Sequence, residues 1–213
     1  MIMDILTSID IQEIYSNNLI QLNEISNRLN LSGDDIESEK YKYQEFENQI
    51  KSNNIDIDNL FDSNVYGEIS MNGVYKLNNE LKEVCGTFYD IGSGNGKLIL
   101  QMSLISNFDK YVGVEISKIR HLYALEINKY LSLDVTFIND DVLNVDLSDA
   151  GFVFINDVMF DNKLIKSIVD KIPVGCYFTS VYDNSHKFVK TIYLSVSWMS
   201  QEIPFNIYLK NIW

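Results

Sequence analysis

Residues 87–100 read Thr-Phe-Tyr-Asp-Ile-Gly-Ser-Gly-Asn-Gly-Lys-Leu-Ile-Leu. An apolar run reaches an aspartate, three glycines follow at alternate positions, and a helical pattern then begins. This order predicts a strand, a tight turn and the start of a helix. Glycine suits such a turn because it tolerates positive φ and lets a ligand approach the bare backbone.

The spacing of the glycines indicates which ligand the turn binds. A dinucleotide-binding turn has the pattern G-x-G-x-x-G and faces a pyrophosphate, whereas this turn has G-x-G-x-G preceded by Asp90. That carboxylate would repel a pyrophosphate, but it suits the cationic methionine end of S-adenosylmethionine. A second apolar run ends at Glu115, 19 residues after Gly96, where an acid can accept hydrogen bonds from both ribose hydroxyls. The pattern predicts a class I methyltransferase site, and the plainer alternative is a glycine-rich turn with an ordinary strand-end glutamate.

Composition and charge limit the class of protein. The chain has 213 residues, 46% of them hydrophobic, which predicts one large domain or one domain with a small extension. Its net charge of −13 disfavours strong intrinsic nucleic-acid binding, which depends on Lys and Arg neutralising phosphates, and it attracts basic partners. No apolar run approaches the ~18 residues of a membrane-spanning helix. Cys85 and Cys176 form no disulfide framework and no signal peptide is evident, so we expect buried, reduced thiols in an intracellular protein.

The order of elements along the chain predicts the fold. Residues 1–60 hold 12 acidic and 4 basic residues, and their apolar spacing predicts a small acidic helical N-terminal extension with helices near 4–16, 18–30 and 34–51. Residues 61–213 form the predicted catalytic domain, in which strand-like runs alternate with helical segments. Such alternation favours a parallel sheet covered on both faces. The fold class is therefore α/β, a seven-stranded, Rossmann-like class I methyltransferase sheet that ends in a hairpin.

The predicted elements of the catalytic domain alternate regularly along the chain. They are helix 70–84, strand 87–91, helix 95–106, strand 111–116, helix 117–131, strands 134–139 and 151–156, helix 161–171, and strands 175–181, 190–198 and 204–211.

Polar residues follow each of the first four strands. Ligands of an open parallel sheet bind at the carboxyl ends of its strands, so Asp90, Glu115 and Asp141 are candidate cofactor ligands, the last for the adenine amino group. Asn156 follows the fourth strand and faces the reacting methyl in this architecture. Phe160, four residues later, would wall an acceptor slot. The alternative for Asn156 is a turn-forming role.

Four blocks of the sequence resemble the disruptor-of-telomeric-silencing family, the histone lysine methyltransferases without a SET domain. Their motifs are V-Y-G-E, D-L-G-S-G-x-G with G-V-E, F-V-N-N-F-A-F, and S-V-S-W with a following proline. The matching segments here are residues 65–68, 90–96 with 113–115, 154–160, and 195–198 with Pro204. The first and last blocks are not general methyltransferase features, so the resemblance extends beyond the cofactor site.

This resemblance implies a role for each matching residue. The loop at Val65, Tyr66 and Glu68 closes over the methionine part of S-adenosylmethionine, and the acceptor lysine enters an aromatic channel. The implied catalytic residues are Asn156, Phe160, Trp198 and Tyr66. The implied cofactor-binding residues are Val65, Glu68, Asp90, Gly92, Gly94, Gly96, Glu115, Asp141, Val142 and Asn156, and no metal is implied.

The sequence also departs from the family pattern. Lys97 replaces a glutamine, Val142 an adenine-stacking phenylalanine, Asp157 the second asparagine, and Ile69 a threonine. The basic segment with which family members grip nucleosomal DNA has no counterpart in this acidic chain.

We therefore expect a protein-lysine N-methyltransferase, histone-directed by resemblance, that acts on a basic protein substrate such as a histone or nucleosome. It would work in the nucleus if histone is the substrate and in the cytoplasm otherwise. Two alternatives stay open at this stage: a methyltransferase for a nucleic-acid base or small amine, and an inactive cofactor-binding module. The acidic extension either touches a basic histone surface or forms an inert solvated cap.

Overall fold

A computed structural model describes residues 67–182, 185–196 and 199–211. The predicted helices within residues 1–60, and the division of the chain at residue 60, therefore lie outside the described residues and stay predictions. Trp198, Tyr66 and Val65 lie outside them as well.

The described chain alternates between helices and strands, as the sequence predicts. The helices are α1 (Met71–Glu80), α2 (Lys97–Ile105), α3 (Lys118–Leu131) and α4 (Asn162–Lys171). The strands are β1 (Thr87–Ile91), β2 (Lys110–Val114), β3 (Thr136–Ile138), β4 (Ala150–Ile155), β5 (Tyr177–Ser180), β6 (Lys187–Leu194) and β7 (Ile203–Leu209). Two 3₁₀ turns follow β3 and β4, at Val142–Asn144 and Asp157–Met159.

The seven strands form one sheet in the order β3-β2-β1-β4-β5-β7-β6. The first five are parallel, and β7 runs antiparallel to both of its neighbours. Both the seven-stranded sheet and its terminal hairpin are as predicted. Because β1 lies between β2 and β4, the carboxyl ends of these three strands meet at one edge of the sheet.

The core is divided between the two faces of the sheet, because successive side chains of a strand point to opposite faces. On one face, Tyr89, Val153 and Phe178 pack with Ile165 and other apolar residues of α4. On the other face, the rings of Phe88 and Phe152 stack with their centroids 5.5 Å apart. Burial of both faces explains why β1 and β4 read as nearly continuous apolar runs.

Strand β6 differs most from its predicted position, which was 190–198. It begins at Lys187 and ends at Leu194, where it pairs with Ile203 of β7. The next apolar residue, Val196, instead forms an isolated bridge with Ile69. The apolar run was therefore read correctly as extended, but tertiary pairing divides it between two partners.

Two expectations drawn from composition can be compared with the structure. Cys176 is buried as expected, whereas Cys85 is exposed, and both thiols are free. Cys85 lies in the short turn between α1 and β1, where its side chain faces solvent. Within the described ranges, no helix is long and apolar enough to cross a membrane.

The turn between β1 and α2 leaves no room for a side chain at Gly96. This glycine has a φ of +83°, and an added Cβ would lie 2.6 Å from Cζ of Phe137. Gly175 has a similar φ of +88° but has nothing within 4 Å of an added Cβ. The two glycines thus separate the cost of backbone strain from the cost of a steric clash.

We expect Gly96→Ala to lower the free energy of unfolding by about 2–5 kcal/mol, the sum of left-handed strain and overpacking. Gly175→Ala should cost only the strain, about 1–2 kcal/mol. Chemical denaturation of both variants measures the difference. Equal losses would show that Phe137 moves aside without cost.

Candidate active site

The glycine turn satisfies most of its backbone donors within the protein. The N–H groups of Gly92 and Ser93 donate to the carbonyl of Val114 at 2.8 and 3.0 Å, and that of Gly96 donates to Ser93 at 2.8 Å. The N–H of Gly94 donates to Oε2 of Glu115 at 2.8 Å. Donors that are already engaged cannot cradle a pyrophosphate, which agrees with the glycine spacing in excluding a dinucleotide site.

Glu115 links the glycine turn to the start of α3. The residue is 3% exposed, and its Oε1 accepts a hydrogen bond from the N–H of Ser117 at 2.7 Å. Two backbone donors therefore hold this carboxylate in a fixed orientation. Each oxygen retains a further lone pair, so the predicted ribose contact is compatible with this arrangement.

Asp90 is a buried carboxylate without a hydrogen-bonding partner among the described residues. It lies at the end of β1, paired in register with Gly113. Burial, and secondarily the nearby Glu115 carboxylate, raise the pKa of Asp90 to about 8. A buried carboxylate in this state is strongly stabilised by an incoming cation, so the residue fits the ammonium group of a bound amino acid moiety.

Asn156 lies where β4 ends, and its side chain caps no helix. Its Oδ1 is buried and has no hydrogen-bonding partner in the described part of the chain. The turn-forming alternative is therefore not supported by any side-chain hydrogen bond. A buried amide carbonyl without a partner is costly, and a ligand N–H group can relieve that cost.

Phe160 connects the end of β4 with the glycine turn. Its ring is half-buried against the core, and its Cζ lies 3.5 Å from the position of a Cβ added to Gly92. Asn156, Phe160 and the glycine turn are thus brought to the same edge of the sheet. Ser93 Oγ and Asn95 Oδ1 are further buried polar atoms in the turn without a partner in the described structure.

Asp141 and Val142, the residues predicted to contact adenine, differ in how far a ligand can reach them. Asp141 follows β3 and its Oδ1 accepts a hydrogen bond from the N–H of Leu143 at 2.9 Å, so the residue begins a 3₁₀ turn. Val142 is 8% exposed and packs in the core. Asp141 keeps one carboxylate oxygen without a described contact, whereas little of Val142 can be reached from solvent.

Glu68 is held against the glycine turn by two side chains. Its carboxylate accepts hydrogen bonds from Lys97 Nζ at 2.8 Å and from Asn95 Nδ2 at 3.3 Å. The family resemblance predicts a cofactor-binding role for Glu68, whereas Lys97 only departs from the family pattern. The opposite charges of the two residues were the available signal for this ion pair.

The segment after Glu68 also meets the fourth motif block. The N–H of Ser70 donates to the carbonyl of Ser195 at 2.8 Å, and Ile69 bridges Val196. The residues directly after the first motif block therefore contact the start of the last one, although more than 120 residues separate them in sequence.

Asp157 positions the end of β4. The sequence pattern marks it only as a departure from the family motif and does not predict this structural role. It is fully buried, and it accepts hydrogen bonds from Ser180 Oγ at 2.5 Å and from the N–H of Val181 at 2.8 Å. Burial raises its pKa, although both hydrogen bonds oppose the shift. The side chain ties the end of β4 to the end of β5, so it fixes the backbone beside Asn156.

The architecture and these strand-end residues define a class I methyltransferase fold. Solved structures of other proteins share this fold, and two of them are compared with this chain. One is an RNA methyltransferase from Salinibacter ruber in complex with S-adenosyl-L-homocysteine, with 19% identity, a TM-score of 0.52, and coverage of 68% of this chain and 94% of that chain. The other is TYW2 from M. jannaschii in complex with AdoMet, with 13% identity, a TM-score of 0.53, and coverage of 67% and 78%.

A family model described as "Histone methylation protein DOT1" matches residues 46–135 of this chain. The match confirms the resemblance predicted from the sequence. It covers the first two of the four motif blocks, and the other two lie beyond it. A comparison with curated proteins found no match.

The pKa of Asp90 predicts how the stability of the ligand-free protein depends on pH. Because the folded-state pKa is raised, the folded protein binds more protons than the unfolded chain between about pH 4 and 8. Stability should therefore fall as pH rises through this window, with a slope of up to about 1.4 kcal/mol per pH unit from this group.

Asp90→Asn should remove this contribution, so the variant should gain stability relative to wild type as pH rises from about 4 to 8. Denaturation curves at several pH values measure the difference, with Asp134→Asn as a control that removes an exposed carboxylate. A difference that does not change with pH would show that Asp90 is already ionised in the folded protein.

Proposed function

We propose that this chain is an S-adenosylmethionine-dependent methyltransferase that acts on a protein lysine, and that its substrate is a histone. The observation that carries the proposal is that Asp90 and Asn156 both lie at the carboxyl ends of neighbouring strands, at the same edge of the sheet. A buried carboxylate and a buried amide carbonyl, both without described partners, lie beside the same glycine turn. The first suits the cofactor's ammonium group and the second suits an N–H group of an acceptor amine.

When bound, S-adenosylmethionine supplies a methyl group on a sulfonium centre. Asp90 would hold the ammonium group, Glu115 the ribose, and Asp141 the adenine amine, as the resemblance implies. The loop at Val65, Tyr66 and Glu68 would cover the methionine part, with Glu68 held in place by Lys97.

The acceptor amine must be neutral before its lone pair can attack the methyl carbon. Asn156 Oδ1 would accept an N–H of this amine and orient the lone pair toward the methyl group. Phe160 and Trp198 would line the lysine channel, where desolvation lowers the pKa of the lysine. The lysine would lose its proton to solvent before the attack, and the bound cofactor would supply the methyl group and keep the electron pair of the broken S–C bond on its sulfur.

Two observations support a histone as the substrate. The family model matched by this chain is that of a histone methylation protein. The net charge of −13 favours encounters with basic proteins and opposes unassisted binding to nucleic acid. A histone substrate would place the enzyme in the nucleus.

The first experiment tests the cofactor site through its proton balance. At about pH 6.5 Asp90 is largely protonated in the free protein, because its pKa is about 8. Binding the ammonium group of S-adenosylhomocysteine should ionise it and release about one proton. Calorimetry in buffers with different ionisation enthalpies measures this proton.

In the same assay, Asp90→Asn should bind S-adenosylhomocysteine without releasing the proton and about 10- to 100-fold more weakly. Unchanged proton release in this variant would remove Asp90 from the site. Asp134→Asn serves as the matched control, since it removes an exposed carboxylate just before the amino end of β3, and the site lies at the carboxyl ends of the strands.

The second experiment tests the acceptor. Wild-type protein with tritium-labelled S-adenosylmethionine should transfer label to lysine in histones or nucleosomes, and not to RNA or to a panel of small amines. Asn156→Ala should lose roughly 100-fold in turnover through mispositioning of the amine. Its stability and its affinity for S-adenosylhomocysteine should stay near those of wild type, and so should all properties of Asn107→Ala, which changes an exposed residue before the amino end of β2.

Label found in RNA or a small amine, with none in protein, would overturn the lysine assignment. Near-normal turnover by Asn156→Ala on the true substrate would overturn the role of Asn156. Absence of S-adenosylhomocysteine binding would overturn the methyltransferase function itself.

A further inference from the structure

A groove of about 530 Å³ runs beside α4 on one face of the sheet. The connection between β5 and β6, which runs beside it, is short. Strands β5 and β6 are both antiparallel to β7, so they are parallel to each other. Such strands are usually joined by a dozen or more residues that include a helix, yet only residues 181–186 lie between Ser180 and Lys187. The connection is too short to carry a covering helix, and the groove remains open.

Two residues that line the groove contact the backbone that follows the predicted acceptor residue Asn156. They are Ser180 and Tyr182, and Tyr182 is 40% exposed. Ser180 donates to Asp157, and the hydroxyl of Tyr182 donates to the carbonyl of Val158 at 3.1 Å. Asp157 and Val158 directly follow Asn156, so the lining of the groove contacts the backbone that positions the proposed acceptor residue.

The side chains of the groove have a charge opposite to that of the chain as a whole. Lys166, Lys210 and His186 line it together with a single acid, Asp170. Its apolar floor is formed by buried side chains of α4, including Ile165 and Val169. Two lysines and one aspartate give the groove a formal charge of +1, and Asp170 interacts electrostatically with Lys210. In a protein of net charge −13, a groove of this charge with an apolar floor favours an acidic polypeptide segment over a basic one.

The two lysines have different roles. Lys210 Nζ donates to the carbonyl of Val169 at 2.7 Å, so it helps to hold α4 against the sheet. Lys166 is exposed on α4, and no ion pair or hydrogen bond of its side chain is found among the described residues. Lys166 is therefore the groove cation that can be changed without disturbing the fold.

We infer that this groove binds the polypeptide segment adjacent to the acceptor lysine and selects acidic side chains in that segment. The inference rests on the proposed lysine methyltransferase function and adds a specificity to it. The acidic surface of the whole chain attracts basic proteins at long range, whereas the groove chooses among their lysines according to the residues beside each one.

The test measures peptide binding separately from methyl transfer. The probes are two fluorescein-labelled nine-residue peptides with one central lysine, flanked on each side by two glutamates in the first and by two glutamines in the second. Fluorescence anisotropy in the presence of S-adenosylhomocysteine should show tighter binding of the glutamate peptide to wild-type protein. Lys166→Glu should weaken binding of the glutamate peptide by roughly fivefold or more and leave binding of the glutamine peptide nearly unchanged.

Lys163→Glu is the matched control, because it makes the same charge change on the same helix at an exposed residue that does not line the groove. The preference should persist in this variant. In wild type it should shrink as salt rises from about 0.05 to 0.5 M, because salt screens exposed charges.

Equal binding of the two peptides by wild-type protein, or equal weakening by the two substitutions, would overturn the groove assignment. Methyl transfer to these peptides, to histones and to nucleosomes is measured in parallel. If the expected binding pattern is found without transfer to any lysine, the groove assignment stands and the proposed lysine methyltransferase function is overturned. If transfer is found without the binding pattern, the function stands and the groove assignment is overturned.

Discussion

The structure depends on the path of the backbone between β1 and α2. The turn must pass beneath the ring of Phe137 with no side chain at Gly96, and its N–H groups must find acceptors at the end of β2 and within the turn itself. The buried carboxylate of Glu115 supplies one of these acceptors and also receives the N–H of Ser117. One acid therefore fixes the turn and the start of α3, and with them the edge of the sheet where the site lies.

Some polar groups in and around the turn form hydrogen bonds within the protein, and others do not. Backbone donors are engaged inside the protein, whereas the carboxylate of Asp90 and the amide oxygen of Asn156 are buried without described partners. Burying such groups costs free energy that folding alone does not recover. A preformed site with this cost is stabilised by a ligand that brings a cation and an N–H donor, which agrees with the proposed chemistry.

Several features of the site depend on residues that are distant in sequence. Asp157 is an acid at a strand end, as Asp90 and Glu115 are, yet it bonds Ser180 and Val181 and supports the end of β4. Lys97 pairs with Glu68 from across the turn. The described part of the predicted strand 190–198 is divided between β7 and Ile69, because pairing partners outweigh local strand preference.

The sequence by itself determined the order of the elements, the glycine turn and the acids at the strand ends, because apolar periodicity, glycine spacing and turn chemistry are local properties of the chain. The exact bounds of β1 were among them. Only the tertiary structure decided which acid is buried without a partner, which one supports the backbone, and that a groove opens beside α4. Burial and the spacing between elements are set by packing of residues far apart in sequence, and no local pattern records them.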